Sequence, residues 1–141
     1  MALTPRIRAR SRPIYFVAML VVIGAGLATR RFPGLVPDFL GAYPGDALWA
    51  LMVFLGWGVL MTSVSTRTLA TLALASCTAV EFGQLYSAPW LDELRSTTLG
   101  ALARGSGFNW RDLVAYAVGV AIGAVGESVA RLVDFSAFDR R

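Results

Sequence analysis

Residues 68–86 read TLATLALASCTAVEFGQLY and carry one charged side chain, that of Glu81. The run is long enough for a membrane-spanning helix, which needs about 17 to 25 mostly apolar residues. An acid at the centre of such a helix costs roughly 2.5 to 3.5 kcal/mol to insert, so acids at that depth are usually paired or functional. The stretch therefore predicts a transmembrane helix, and Glu81 is its first candidate functional residue.

The composition of the whole chain agrees with a membrane protein. Of its 141 residues, 56% are hydrophobic and 16% are charged, and the mean hydropathy is +0.60. All 13 basic residues are arginine and histidine is absent, which excludes imidazole base chemistry and histidine-ligated metal sites. The lone Cys77 excludes an intrachain disulfide and fits a small packing residue. We expect neither a cofactor nor a metal ion.

Four apolar segments predict an all-α fold, a polytopic bundle of four transmembrane helices in a single domain over residues 1–141. The segments cover residues 13–29, 47–66, 68–86 and 113–130. The last contains Glu127, and Arg131 follows it at the i,i+4 spacing of a helical ion pair. The first follows four arginines between residues 6 and 12, and it fits either a retained signal anchor or a cleaved secretory signal.

The predicted outer loops are residues 30–46 and 87–112. Prolines and glycines interrupt the first and oppose a continuous helix. The second predicts a short interfacial or re-entrant helix, because several apolar or small residues fall on one helical face. These are Leu91, Leu94, Thr98, Leu99 and Leu102.

Arginine placement predicts that both termini are cytoplasmic, because basic flanks are retained on that side. In this orientation eight arginines lie inside and five outside. The inner ones are Arg6, Arg8, Arg10, Arg12, Arg67, Arg131, Arg140 and Arg141, and the outer ones are Arg30, Arg31, Arg95, Arg104 and Arg111.

The same topology brings polar residues from separate segments to one level near the outer surface. Two acids open the second and fourth spans, Glu81 and a glutamine lie near the outer end of the third, and an arginine lies in the second outer loop. The predicted ligand-binding residues are Asp46, Glu81, Gln84, Arg95 and Asp112.

Each of these residues also has a structural interpretation. Asp46 and Asp112 fit helix N-caps, where an acid accepts hydrogen bonds from free backbone N–H groups. Gln84 fits a hydrogen-bonding contact between helices. Arg95 fits an ion pair with Asp92 or a contact with lipid phosphates.

Small residues predict a close helix contact on the last span. Ala115, Gly119 and Gly123 recur at intervals of four and, with Gly126, form a groove on one face. Helices in lipid associate through such grooves. The partner is either another helix of this chain or a second copy in a homo-oligomer.

Four runs carry a resemblance to a known family. They are YPGDALW at 43–49, EFGQLY at 81–86, LRSTTLG at 94–100 and DLVAY at 112–116. Together they resemble the bacterial domain-of-unknown-function family 2809, small polytopic membrane proteins, over roughly residues 31–123. More distantly, the pattern resembles VanZ-like membrane proteins, a group associated with glycopeptide-antibiotic resistance. The resemblance implies a multi-pass protein of the bacterial inner membrane and assigns no molecular activity.

Three functional hypotheses follow. The first is a binding protein for the polar headgroup of an envelope lipid or envelope precursor. The second is an intramembrane enzyme acting on a lipid-linked substrate, with Glu81 as general acid or base and Arg95 stabilising an anionic group. The third is a structural or accessory subunit. Nucleic-acid binding is not expected, because the arginines flank membrane segments and form no basic patch on a soluble fold.

Overall fold

A computed structural model describes residues 9–86, 89–96 and 109–138 of the chain. Helices dominate these ranges, and two short 3-10 turns, Pro33–Leu35 and Asp38–Leu40, join the first two. The all-α class is therefore confirmed. The helices are α1 (Arg12–Arg31), α2 (Tyr43–Leu60), α3 (Thr66–Gln84), α4 (Pro89–Ser96) and α5 (Trp110–Phe138).

Within the described ranges, three helices are long and apolar enough to cross a membrane by length and composition: α1, α2 and the Trp110–Val133 part of α5. With 19 residues, α3 is about 29 Å long, but it is not among the three. Its sequence contains Arg67, Glu81 and a series of threonines, which lower its hydropathy. The fourth span and the re-entrant helix stay predictions.

The second predicted span and the helix in that region have different bounds. Residues 47–66 were expected, but α2 begins at Tyr43 and ends at Leu60. Pro44 does not interrupt the helix because it lies in the first turn, where its missing N–H group costs nothing. The chain then turns at residues 61–65, and Ser65 starts α3 by accepting a hydrogen bond from the Thr68 N–H group.

The first and last helices are also longer than predicted. α1 continues to Arg31, so Arg30 and Arg31 lie in its last turn, where positive charge interacts favourably with the helix dipole. α5 starts three residues before the predicted span and continues to Phe138. In the second predicted outer loop, α4 covers Pro89–Ser96. The rest of the proposed apolar face, from residue 97 to 102, lies outside the described residues.

The core forms where α2, α3 and α5 meet. In α3, the buried residues Leu69, Ala73 and Cys77 recur every four positions, so they share one face. This face packs around Phe54 of α2, which is fully buried, and Val120 of α5. Cys77 is a buried free thiol of this core.

Glycines bring α2 and α5 into close contact. A Cβ atom at Gly119 would meet the backbone carbonyl of Ala47, and one at Gly123 would lie 2.6 Å from the ring of Phe54. The predicted small-residue groove therefore faces α2 of the same chain at these two positions. At Gly126 an added Cβ would meet no atom within 4 Å. Whether the groove also supports a homo-oligomer stays a prediction.

The first helix lies at the edge of the bundle. It packs against α2, with the ring of Tyr15 lying against Gly58, and none of its residues is buried. Apolar residues such as Ile14, Val17 and Val21 are exposed on its outer face. Such a surface is compatible with an acyl-chain environment.

Candidate functional site

Glu81 extends the buried face of α3 by one more step of four residues beyond Cys77. It is 1% exposed, and both carboxylate oxygens accept hydrogen bonds from the start of α5. The backbone N–H group of Asn109 donates to Oε1 at 3.1 Å, and the hydroxyl of Tyr116 donates to Oε2 at 3.0 Å. The carboxyl group therefore points into the bundle and joins α3 to α5.

Asn109 organises the first turn of α5. Its side-chain oxygen accepts a hydrogen bond from the Arg111 N–H group at 3.1 Å, which makes Asn109 the N-cap. Its side-chain nitrogen donates to Oδ1 of Asp112 at 3.2 Å. The expectation that Asp112 caps this helix was wrong, because Asp112 lies three residues further on, inside the first turn.

Asp46 likewise lies inside the first turn of α2 and does not cap it. The residue before the helix is Ala42, and no side chain supplies a capping hydrogen bond. Asp46 interacts electrostatically with Asp112, Glu81 and Arg30, and Asp112 also interacts with Glu81. Asp46, Glu81 and Asp112, one acid from each of α2, α3 and α5, are called the acid cluster below.

Two predicted site residues are described only through their backbone. Gln84 is the last residue of α3, and Arg95 lies in the last turn of α4. Their side chains are outside the described part of the chain, so their membership of the site stays a prediction. Within the described ranges, no group of three or more Cys, Asp or Glu side chains is arranged to hold a metal ion.

The sequence prediction missed Asn109 and Tyr116 as partners of Glu81. Tyr116 is 6% exposed and its hydroxyl lies in the bundle. A signal was present: Asp112 and Tyr116 are spaced i,i+4 and so share a face of α5. For Asn109, the signal was a capping residue followed by an acid three positions later.

The opposite end of the bundle holds a second buried polar group that the sequence showed only in part. The Glu127–Arg131 ion pair was expected, and it is present at 2.8 Å. Arg10 was assigned to topology alone, yet it is buried and pairs with Glu127 at 2.6 Å. Its guanidinium also donates to three backbone carbonyls of the turn between α2 and α3, those of Met61, Thr62 and Val64.

Glu127 is therefore surrounded by donors. Besides the two arginines, the hydroxyl of Thr66 donates to Oε1 at 2.8 Å. A buried ion pair is favourable only when further hydrogen bonds satisfy its remaining atoms, and Glu127 meets this condition. These contacts join the N-terminal segment, the α2–α3 turn and the middle of α5 at one end of the bundle, which we call the Arg10 end. The opposite end of the bundle is called the Glu81 end.

The family of the chain can be stated with this geometry in place. Residues 35–120 match the family described as Protein of unknown function (DUF2809). The chain belongs to this family. The DUF2809 match covers well over half of the sequence and includes the acid cluster, Asn109 and Tyr116, whereas Arg10 and Glu127 lie outside it. The family resemblance is thus confirmed, and the more distant VanZ-like resemblance stays a prediction. No solved structure matches the chain.

Proposed function

We propose that this DUF2809 protein is a multi-pass protein of the bacterial inner membrane, and that its Glu81 end binds the polar headgroup of an envelope lipid or envelope precursor. The observation that carries the proposal is the acid cluster. Asn109 donates hydrogen bonds to both Glu81 and Asp112, and Asp46 of α2 lies within electrostatic range of these two carboxyl groups at one end of an apolar bundle. Ionisable groups inside a membrane bundle are costly and usually mark a functional site.

The chemistry of the cluster favours a headgroup that donates hydrogen bonds or carries positive charge. Neighbouring carboxylates repel one another, and a purely structural cluster would be expected to match each acid to its own cation. Glu81 is already bound by two donors of the protein, and Arg30 contributes an opposing charge at Asp46. An amine or hydroxyl donor of the ligand would reduce the remaining repulsion between Asp46 and Asp112.

Gln84 and Arg95 complete the proposed site. Gln84 ends α3 three residues beyond Glu81 and supplies an amide that donates and accepts hydrogen bonds. Arg95 would bind an anionic part of the same ligand, such as a phosphate. The VanZ-like resemblance supports an envelope-related ligand as the first class to test.

A structural role is the second candidate, and a specific observation favours it. Both oxygens of Glu81 are occupied by donors at the start of α5, so this carboxylate holds two helices together whether or not a ligand binds. This role accounts for Glu81. The hydrogen bond from Asn109 extends this role to Asp112, whereas the placement of a third carboxyl group, that of Asp46, beside these two favours the binding role.

Mass spectrometry of co-purified lipid separates the two roles. We expect the wild-type protein to enrich one lipid or amphiphile over the bulk membrane. Asp46→Asn combined with Asp112→Asn should lose that species with little change in melting temperature, and Arg95→Ala should weaken its retention. Asp38→Asn is the matched control, because Asp38 is an exposed acid in the 3-10 turn before α2. Bulk phospholipid alone in every sample would refute the binding proposal, and a lowered melting temperature without a change of lipid would favour the structural role.

A further inference from the structure

An apolar groove lies between the N-terminal halves of α2 and α5, on the exposed surface of the bundle. Its volume is about 510 Å³, within the roughly 300 to 1,000 Å³ typical of small-molecule sites. α2 contributes Tyr43 and Ala47 to the walls, and α5 contributes Val114 and Val118. Both valines are about half exposed, so the groove opens sideways from the bundle.

One end of the groove is polar and positively charged. Arg111 lies there, with its guanidinium carbon 5.8 Å from the centre of the Trp110 ring. Both helices begin at this end, α2 at Tyr43 and α5 at Trp110, and the N-terminus of a helix favours negative charge. The hydroxyl of Tyr43 adds a hydrogen-bond donor. The groove thus joins an apolar channel to a mouth that carries the positive charge of Arg111 and two aromatic residues, Tyr43 and Trp110.

We propose that this groove binds a glycerophospholipid with an anionic headgroup, one acyl chain lying along Val114 and Val118 and the phosphate at Arg111. The membrane helices provide the first reason, because acyl chains are the medium that an open apolar groove on α2 and α5 meets. Charge complementarity provides the second, because a positive mouth selects an anionic lipid from that medium. The lining of the groove includes none of the three acids of the acid cluster, so the two proposals depend on different residues and either can fail without the other.

Native mass spectrometry tests the groove with two lipids of identical chains, phosphatidylglycerol and phosphatidylcholine, added to the purified full chain. The wild type should retain phosphatidylglycerol about fivefold better, the factor expected for one arginine near an anionic headgroup. Arg111→Gln should remove this preference, whereas Arg31→Gln, which removes an exposed arginine outside the groove, should keep it. Val118→Trp should fill the groove and lose both adducts, whereas Val129→Trp, at an exposed position further along α5, should retain them.

Three results would overturn the proposal. Equal retention of both lipids by the wild type would mean that bulk lipid alone covers the groove. A dimer that forms as lipid is removed and is abolished by Val118→Trp would assign the groove to a second copy of the chain. A phosphatidylglycerol preference that survives in Arg111→Gln would mean that the headgroup does not lie at Arg111.

Discussion

Glu81 accepts two hydrogen bonds that a glutamine can also make. In Glu81→Gln, the amide oxygen can accept from the Asn109 N–H group, and the amide nitrogen can donate to the Tyr116 hydroxyl, which then serves as acceptor. Stability therefore depends on the shape and hydrogen bonding of this side chain more than on its charge. Ligand binding by the acid cluster depends on the charge as well.

This difference gives a prediction for two substitutions at Glu81. Glu81→Gln should leave the melting temperature of the detergent-solubilised protein close to that of wild type. Glu81→Leu should lower it, because the buried Tyr116 hydroxyl loses its partner at a cost of about 1–3 kcal/mol, and the half-buried Asn109 N–H group also loses its acceptor. Thermal unfolding followed by circular dichroism provides the measurement. Equal stability of the leucine variant and wild type would contradict the hydrogen bonds to Asn109 and Tyr116.

Arg10 is the residue whose removal should destabilise the Arg10 end most. Arg10→Ala leaves Glu127 buried without its main cation and frees three carbonyls of the α2–α3 turn. Breaking a buried pair by removing one partner costs about 3–5 kcal/mol. Arg12→Ala is the matched control, because Arg12 is exposed at the start of α1.

A second substitution isolates the ion pair itself. Glu127→Gln in the Arg10→Ala background should restore part of the lost stability, because it removes a buried charge whose remaining cation is the partly exposed Arg131. Chemical unfolding in mixed micelles compares the single and double variants. If Arg10→Ala and Arg12→Ala unfolded alike, the buried pair would contribute no more than a surface arginine.

At the scale of the elements, the contact between α2 and α5 depends on glycine. Gly119→Ala places a methyl group against the Ala47 carbonyl, so the two helices must move apart, at a typical overpacking cost of about 1–3 kcal/mol. Gly126→Ala adds the same methyl group to the same helix in open space, and its effect should stay within about 1 kcal/mol. The two melting temperatures provide the comparison. A similar fall in melting temperature for both variants would contradict the specific contact between Gly119 and Ala47.

The elements themselves were largely predictable from sequence, because apolar runs of about 20 residues have few alternatives in a membrane. The ends of α2 were not predictable in this way, because proline and glycine occur both in loops and in the first turns of helices. Pro44 lies in a first turn. Topology predicts the acid cluster, since Asp46 and Asp112 lie in the first turns of helices that start on one side and Glu81 lies near the end of α3 that finishes there. The role of these acids as a binding site stays a prediction. The hydrogen-bond partners of Glu81 could not be predicted from topology, because they depend on the rotation of α5 about its axis, which hydropathy does not specify.

Charge alone also gave an incomplete account of Arg10. Its position ahead of an apolar helix agreed with the rule that places arginines in the cytoplasm, so no further role was needed. The structure adds a contact 117 residues away along the chain, to Glu127. Such a long-range pair has no local sequence signal, since it depends on the final packing of the N-terminal segment against α5.

At the scale of the whole molecule, the Arg10 end and the Glu81 end should lie on opposite sides of the membrane. Ser63 is exposed in the α2–α3 turn at the Arg10 end, and Gly34 is exposed in the first 3-10 turn at the other end. In a Cys77→Ser background, a membrane-impermeant maleimide should label Gly34→Cys in intact bacterial cells. It should label Ser63→Cys only after permeabilisation. Labelling of both cysteines in intact cells would contradict the proposed orientation, with the Arg10 end in the cytoplasm.

The most direct test of the central claim is a structure of the protein in a lipid nanodisc, bound to an antibody fragment that recognises the Arg10 end. We expect the carboxyl groups of Asp46, Glu81 and Asp112 to face one another inside the bundle, with density for a polar headgroup beside them. Removing Asp46 and Asp112 by substitution with asparagine should remove that density. Carboxyl groups that point toward acyl chains would contradict the claim. So would a Glu81 end that is filled by protein side chains and shows no ligand density in either the wild type or the asparagine variant.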